Sequence, residues 1–292
     1  MATHTKISHL EHILKIPDTY IGDIDESTTE MWCFDETVNK MIKKKITYIP
    51  GMYKLFDEII VNSFDQYIRI KESGDSDQMP VKNVKINVNK ETGEISVYND
   101  GEGIPIEIHP KEKIYIPELI FGELLTSSNY DEKKIKHVGG KNGYGAKLAN
   151  IFSTKFTITT VDRKRGKKFT MNFYDNKSRK DKPKITTCKS KPYTEITYTA
   201  DFKRFNTKGV SDDMIELIKK RAYEVAACSE NNLNVYFNGQ KLEIKNFEKY
   251  IKLFIDDSCK FAYEKVNERW EIGCALSPNL SFDQVSFVNG IN

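Results

Sequence analysis

Apolar residues recur along this chain with two periods, and the switches between them mark out its elements. From Met52 to Ile70, the positions Met52, Leu55, Phe56, Ile59, Ile60 and Ile68 follow helical spacing, with Pro50-Gly51 ahead and Gly74 just beyond. Val84, Ile86 and Val88 then alternate, Glu91-Thr92-Gly93 turns the chain, and Ile95 to Tyr98 returns as a second strand. Helical patterns reappear over 117–125, Ala146 to Phe152, Asp212 to Cys228 and 246–256. Strand patterns cover Phe156 to Val161, Lys168 to Tyr174 and Glu195 to Thr199. Asn238-Gly239 between Leu233–Phe237 and Lys241–Ile244 predicts a tight hairpin. Residues 1–50 predict an irregular arm followed by short elements, and a new run of strands begins at Lys260. Residues 126–147 are polar, glycine-rich and too long for an ordinary connection.

Composition narrows the class without naming a function. A chain of 292 residues holds one large domain or two modest ones, and 39% hydrophobic with 30% charged residues supports a packed core rather than disorder. The net charge of +3, from 45 basic and 42 acidic residues, is too balanced for a dedicated nucleic-acid-binding domain. Five cysteines without a C-x-x-C pair predict free thiols in a reducing compartment. The start lacks an apolar signal core, and no apolar run approaches the roughly 20 residues that span a bilayer. The expected location is the nucleus or cytoplasm, or a host cytoplasm if the chain is viral.

Three segments carry candidate chemistry. Glu58, Asn62, Asp65 and Arg69 fall on one stripe of the first long helix, beside its apolar face. Such a stripe is commonly a solvated face. An Asn in mid-helix is mildly unfavourable, however, and its side-chain oxygen suits a metal's coordination shell, with Glu58 one turn earlier to deprotonate a water. Asn99-Asp100-Gly101-Glu102-Gly103 ends a strand. It reads either as a plain turn or as glycines that let the backbone approach a ligand, with the Asn99 amide on a base edge. Gly139-Gly140-Lys141-Asn142-Gly143-Tyr144-Gly145-Ala146-Lys147 runs into a helix and reads either as a flexible loop or as an anion cradle. It fits neither the G-x-x-x-x-G-K-[ST] nor the G-x-G-x-x-G pattern. Thr126 to Asn129 add hydroxyls and an amide within reach of a ribose or phosphate. Basic clusters at Lys43–Lys45, Arg163–Lys168 and Lys177–Lys184 read as solvated turns, with contact to a DNA backbone as the lesser alternative. His9 and His12 lack the further ligands a metal pair needs.

The order of these motifs resembles the ATPase superfamily shared by gyrase, a heat-shock chaperone, sensor histidine kinases and a mismatch-repair protein. Within it, the chain is similar to the amino-terminal ATPase regions of eukaryotic-type DNA topoisomerase II. The resemblance is carried by residues 10–23, 50–62, 116–131, 139–156 and 284–291, and so extends along nearly the whole chain. It implies a two-layer α/β (α+β) sandwich, in which helices pack on one face of a mixed, mostly antiparallel sheet. It implies an ATP-binding domain over 1–259, with a short amino-terminal arm, and the start of an α/β transducer domain over 260–292. By the same resemblance, Glu58 is the general base and Asn62 the Mg²⁺ ligand. Asn99 and Thr194 contact the base. Ser127, Ser128 and Asn129 contact ribose and phosphate, and Gly140, Lys141, Asn142, Gly143, Tyr144, Gly145, Ala146 and Lys147 form the phosphate loop.

Asn at position 99 matches the eukaryotic branch, where much of the superfamily has Asp. The chain stops before the family's Gln-x-Lys transducer loop, so weak hydrolysis of Mg·ATP and no DNA cleavage are expected. The resemblance further implies a homodimer on ATP binding and DNA as a partner through the full-length enzyme. An alternative of another class is an ATP-driven clamp or chaperone-like module using the same pocket without DNA. The long matching strings favour topoisomerase over it.

Overall fold

The computed structural model describes residues 6–124, 139–140, 143–277 and 281–292. The expectations for Ser127, Ser128, Asn129, Lys141 and Asn142 lie outside the described residues. Two short helices come first, α1 (His9–Lys15) and α2 (Asp18–Ile21). Ser8 caps α1 through a reciprocal box with Glu11, which satisfies two amides that the helix end leaves unpaired.

A hairpin of nine-residue strands follows, β1 (Ser27–Asp35) against β2 (Lys40–Tyr48). This corrects the expectation of short elements in the first 50 residues. The alternation is hidden because the hairpin buries only Cys33, Met41 and Ile46, while Lys43–Lys45 run through β2 as strand residues rather than as a turn. The hairpin docks on α6 (Asp212–Ala227), where Asp213 accepts the Thr47 N–H at 2.7 Å and Glu216 pairs with Lys44.

Helix α3 (Pro50–Ser73) extends the expected helix by a few residues at each end. Pro50 sits in the first turn, where a missing N–H costs nothing, and Gly74 ends the helix with φ +63°. Leu55, Phe56, Ile59, Ile60 and Phe64 form its buried stripe. The strands β3 (Asn83–Val88) and β4 (Glu94–Asp100) pair as expected. Then come α4 (Ile116–Gly122), α5 (Gly145–Ile151), β5 (Ser153–Asp162), β6 (Lys167–Tyr174), β7 (Arg179–Lys180), β8 (Lys184–Thr187) and β9 (Tyr193–Ala200). After α6 the chain forms β10 (Asn234–Phe237), β11 (Gln240–Lys241), α7 (Phe247–Ile251) and the hairpin β12 (Phe261–Asn267) with β13 (Trp270–Ala275). Helix α7 is half the length that the pattern over 246–256 suggests, because its apolar residues continue into turns that pack on the core.

The main sheet runs β11-β10-β3-β4-β9-β5-β6-β7, with β8 also on β6. Only the β10–β3 pair is parallel among the described strands of this sheet. One face is buried under α3, α4, α5 and α6 through Val84, Val97, Ile158, Met171 and Ile196. The alternate positions, such as Ser96, Tyr98, Thr157, Thr170 and Thr197, are half-exposed on the other face. This is the mixed, mostly antiparallel two-layer arrangement that the resemblance implies. All five cysteines are free. Among the described residues, no helix is long and apolar enough to cross a membrane.

Candidate functional site

The buried stripe of α3 fixes that helix on the sheet, and the stripe beside it then faces a cavity of about 630 Å³. Glu58, Asn62, Asp65 and Arg69 all line the cavity. Asp65 is only 2% exposed and Glu58 is half-buried, whereas Asn62 and Arg69 are exposed, so the stripe is solvated only in part. Asn99, Gly140, Gly143, Tyr144, Gly145, Ala146, Lys147 and Thr194 line the same cavity. Every described residue assigned from the sequence is therefore brought to one place.

One end of the cavity is built on the sheet. Asn99 on β4 lies opposite Thr194 on β9, and Thr194 lies opposite Thr160 on β5. Thr194 is inside its strand rather than ahead of it. The Thr160 and Thr194 hydroxyls are 3.0 Å apart, and Thr160 Oγ1 also accepts the Ile104 N–H at 3.1 Å. Asn99 Nδ2 donates to the Asp100 carbonyl at 3.0 Å, which orients the amide and makes Oδ1 its acceptor end. Val97, Ile104 and Ile196 supply apolar walls.

Gly101 and Gly103 serve this end differently from the reading that they let backbone approach a ligand. A Cβ on Gly103 would lie 1.9 Å from the Val161 carbonyl oxygen, and one on Gly101 would lie 2.7 Å from Val81 Cγ2. Their close approaches are to the protein itself. The loop is tied down by Asp162, which accepts the Ile106 N–H at 2.8 Å and pairs with Arg165 at 3.0 Å. Burial pushes the Asp162 carboxyl up, but the Ile106 and Arg165 donors outweigh it and hold the group below its ordinary range.

The other end is built from charges and glycines. Asp65 accepts the Gly139 N–H on Oδ1 at 2.8 Å and the Gly140 N–H on Oδ2 at 2.9 Å. Burial raises the Asp65 carboxyl above its ordinary range, and the two amides and Arg69 only partly offset this. Gly145 begins α5 directly against Glu58: a Cβ there would sit 1.7 Å from Oε2. Lys54 Nζ lies 2.6 Å from Glu58 Oε1 and 3.7 Å from Asp57 Oδ2. Behind them, Arg221 of α6 bonds Asp57 at 2.8 Å and approaches Glu224 at 3.4 Å. Lys147 donates to the Gly143 carbonyl in a short bond. Burial, then the charge of Lys177, pulls its ammonium down to about 8.

Sequence reasoning missed Lys54, Thr160 and the arm residues Thr19 and Tyr20, which also line the cavity or hold its wall. Lys54 had a signal, since it stands one helical turn before Glu58. Of the two arm histidines, His12 Nδ1 meets the Tyr20 hydroxyl at 2.9 Å, and His9 packs edge-on to Tyr144 with centroids 6.0 Å apart. Members of each basic cluster pair with acids, including Lys43 with Asp283, Arg165 with Glu107 and Lys180 with Glu118.

The described cavity joins a carboxylate-bearing helix, an Asn-Thr pair on a sheet and a glycine-rich loop. A family described as histidine kinase-, DNA gyrase B- and HSP90-like ATPases matches residues 48–177, which hold all of these except Thr194. The fold and site therefore define an ATPase of that class. The crystal structure of the ATPase region of Saccharomyces cerevisiae topoisomerase II superposes with a TM-score of 0.90 and 45% identity, covering 98% of this chain and 74% of that one. On this likeness, the chain belongs to the family of type II topoisomerase ATPase regions. The ATPase and transducer domains of DNA topoisomerase II from Balamuthia mandrillaris give a TM-score of 0.90 and 41% identity, covering 98% of this chain and 72% of that one. DNA topoisomerase 2 of Candida albicans is 43% identical over 307 residues, which is 99% of this chain and 20% of that protein. The chain thus spans about a fifth of the length of such relatives.

Proposed function

We propose that this chain binds Mg·ATP in the cavity, with the base against Asn99 and Thr194 and the phosphates on the Gly140–Lys147 segment, and that Glu58 is the general base of hydrolysis. The observation that supports this most strongly is the contact between Gly145 and Glu58. The loop suited to phosphates begins its helix beside a carboxylate suited to deprotonate a water. Lys147 supplies a cation at that end, and the acceptor end of Asn99 suits an exocyclic amino group at the other.

In the proposed step, Glu58 takes a proton from a water. The water oxygen bonds to the γ-phosphorus as the bond to the β,γ-bridging oxygen breaks. ADP leaves with that electron pair, and the phosphoryl group leaves as inorganic phosphate. Asn62 faces the loop, with Oδ1 3.9 Å from where a Cβ on Gly140 would lie. Among the described residues, no group of three His, Cys, Asp or Glu could hold a metal. One amide oxygen therefore suits Mg²⁺ held mainly by phosphates and water. When bound, Mg²⁺ neutralises charge on the phosphate oxygens.

We further infer that residues 260–292 begin the transducer. In the full-length enzyme, ATP binding closes a homodimeric gate around DNA in the nucleus or cytoplasm, and the closure is coupled to double-strand passage. Calorimetric titration with a non-hydrolysable ATP analogue and Mg²⁺ tests the pocket. Binding by the parent chain and its loss in Asn62→Ala are expected. Equal binding by both would overturn the metal assignment, and no binding by either would overturn the pocket.

A further inference from the structure

Lys54 has no place in the reading above, although it touches the proposed base directly. Its ammonium lies 2.6 Å from Glu58 Oε1, while Oε2 of the same carboxylate faces the start of α5. We propose that Lys54 is a positioning residue for hydrolysis: by holding Oε1 of Glu58, it keeps Oε2 turned toward the first turn of α5, where the attacking water must sit. The inference rests on Glu58 being the base.

An i,i+4 ion pair on a helix is ordinarily a surface feature of small consequence. Three observations set this one apart. Lys before Glu is the weaker orientation for supporting a helix, so helix stability does not explain the pair. The Lys54 head group also approaches Asp57 at 3.7 Å, and Asp57 is itself clamped by the buried Arg221 at 2.8 Å. Alternating charges thus run from Glu224 inside α6 through Arg221, Asp57 and Lys54 to Glu58 at the cavity, and the ammonium is held from two sides. The pair lies in the cavity, with the Lys54 side chain 43% and the Glu58 side chain 22% exposed. Burial pulls the Lys54 ammonium down, yet Glu58 and then Asp57 outweigh it and hold the group above its ordinary value. A cation that stays charged at every working pH suits this role.

The charged and titratable groups that share the cavity with Glu58 are Lys54, Asp57, Asp65 and Arg69 on α3, Lys147 and Tyr144 at the α5 end, and Tyr20 on α2. Asp65 carries like charge to Glu58, and Lys147 is engaged with the Gly143 carbonyl. Among the described residues, Lys54 is therefore the cation in direct ion-pair contact with Glu58.

The test is single-turnover ATP hydrolysis alongside calorimetric nucleotide affinity in the parent chain, Lys54→Met and Lys54→Arg. Lys54→Met should lower the hydrolysis rate on the order of tenfold while leaving nucleotide affinity within about twofold. Lys54→Arg should restore most of the rate. An unchanged rate in Lys54→Met overturns the proposal, as does a loss of affinity that matches the loss of rate. Glu58→Gln separates the two readings. If it hydrolyses ATP at the parent rate, the base assignment fails and the positioning role falls with it, whatever the Lys54 variants show.

Discussion

The two ends of the cavity are built on different principles. At the base end, Asn99, Thr194 and Thr160 lie side by side on three paired strands, and each polar group is fixed by a neighbour in the sheet. At the phosphate end, two carboxylates of α3 hold segments that arrive from elsewhere in the chain: Asp65 holds Gly139 and Gly140, and Glu58 abuts Gly145. On the proposed reading, recognition is preformed in a ladder of paired strands, whereas the chemistry is assembled by docking a loop on a helix. Changes at the sheet end should therefore alter affinity, and changes that displace Glu58 should alter rate.

The sharpest way to break this comparison is Gly145→Ala. Alanine favours a helix start, so the fold should persist, but its Cβ would claim the space of Glu58 Oε2, 1.7 Å away, and push the carboxylate aside. The hydrolysis rate should fall about 100-fold, far more than affinity, as for a misplaced catalytic group. Stopped-flow rates and calorimetry report the two effects separately, and equal losses in both would deny the division. Thr160→Val makes the converse test. It keeps the shape but leaves the Ile104 N–H and the Thr194 hydroxyl without their partner. Nucleotide affinity should drop about tenfold with the saturated rate preserved, in line with a lost buried hydrogen bond of about 1–2 kcal/mol. A fall in rate alone would reverse the assignment.

The smallest effect concerns Lys147, whose buried ammonium titrates at about 8. A phosphate anion favours the charged form and raises that value on binding. Near pH 8 the free protein is partly deprotonated, so binding should draw up a fraction of a proton, and affinity should weaken as pH rises through this range. Below about pH 7 the uptake should vanish, because free and bound forms are both protonated. Calorimetry in two buffers of different ionisation enthalpy measures it. Proton release, or no pH dependence, would place the phosphates away from Lys147.

Legibility in the sequence followed the range of the interactions. Helix α3 showed itself through its own apolar spacing, and the β10–β11 hairpin through Asn238-Gly239, which adopt φ +45° and +82°. The β1–β2 hairpin did not, because it covers α6 and the turns after α7 with few buried apolar positions, so lysines and threonines mask its alternation. Gly103 was legible as a constraint but not as to its cause. The atom that excludes a side chain belongs to Val161, on another strand. Thr160 was invisible for a related reason, since a buried Thr in a strand looks like ordinary strand composition until its partners appear. Glu58 and Asn62 stood out by residue type and spacing, whereas the only signal of Lys54 was its place one turn before Glu58, and its second contact with Asp57, clamped by Arg221, is visible only in the fold.

The parallel pairing of β10 with β3 sets an order of events in synthesis. Asn83 finds its partner only when Asn234 has been made, so the outer edge of β3 cannot be covered by this pairing while the intervening strands emerge. Unpaired strand edges invite association between nascent chains, and long-range parallel pairs form slowly. The β10–β11 segment therefore closes the sheet late, and a ribosome paused before Phe237 would hold a nascent chain with its β3 edge open to aggregation.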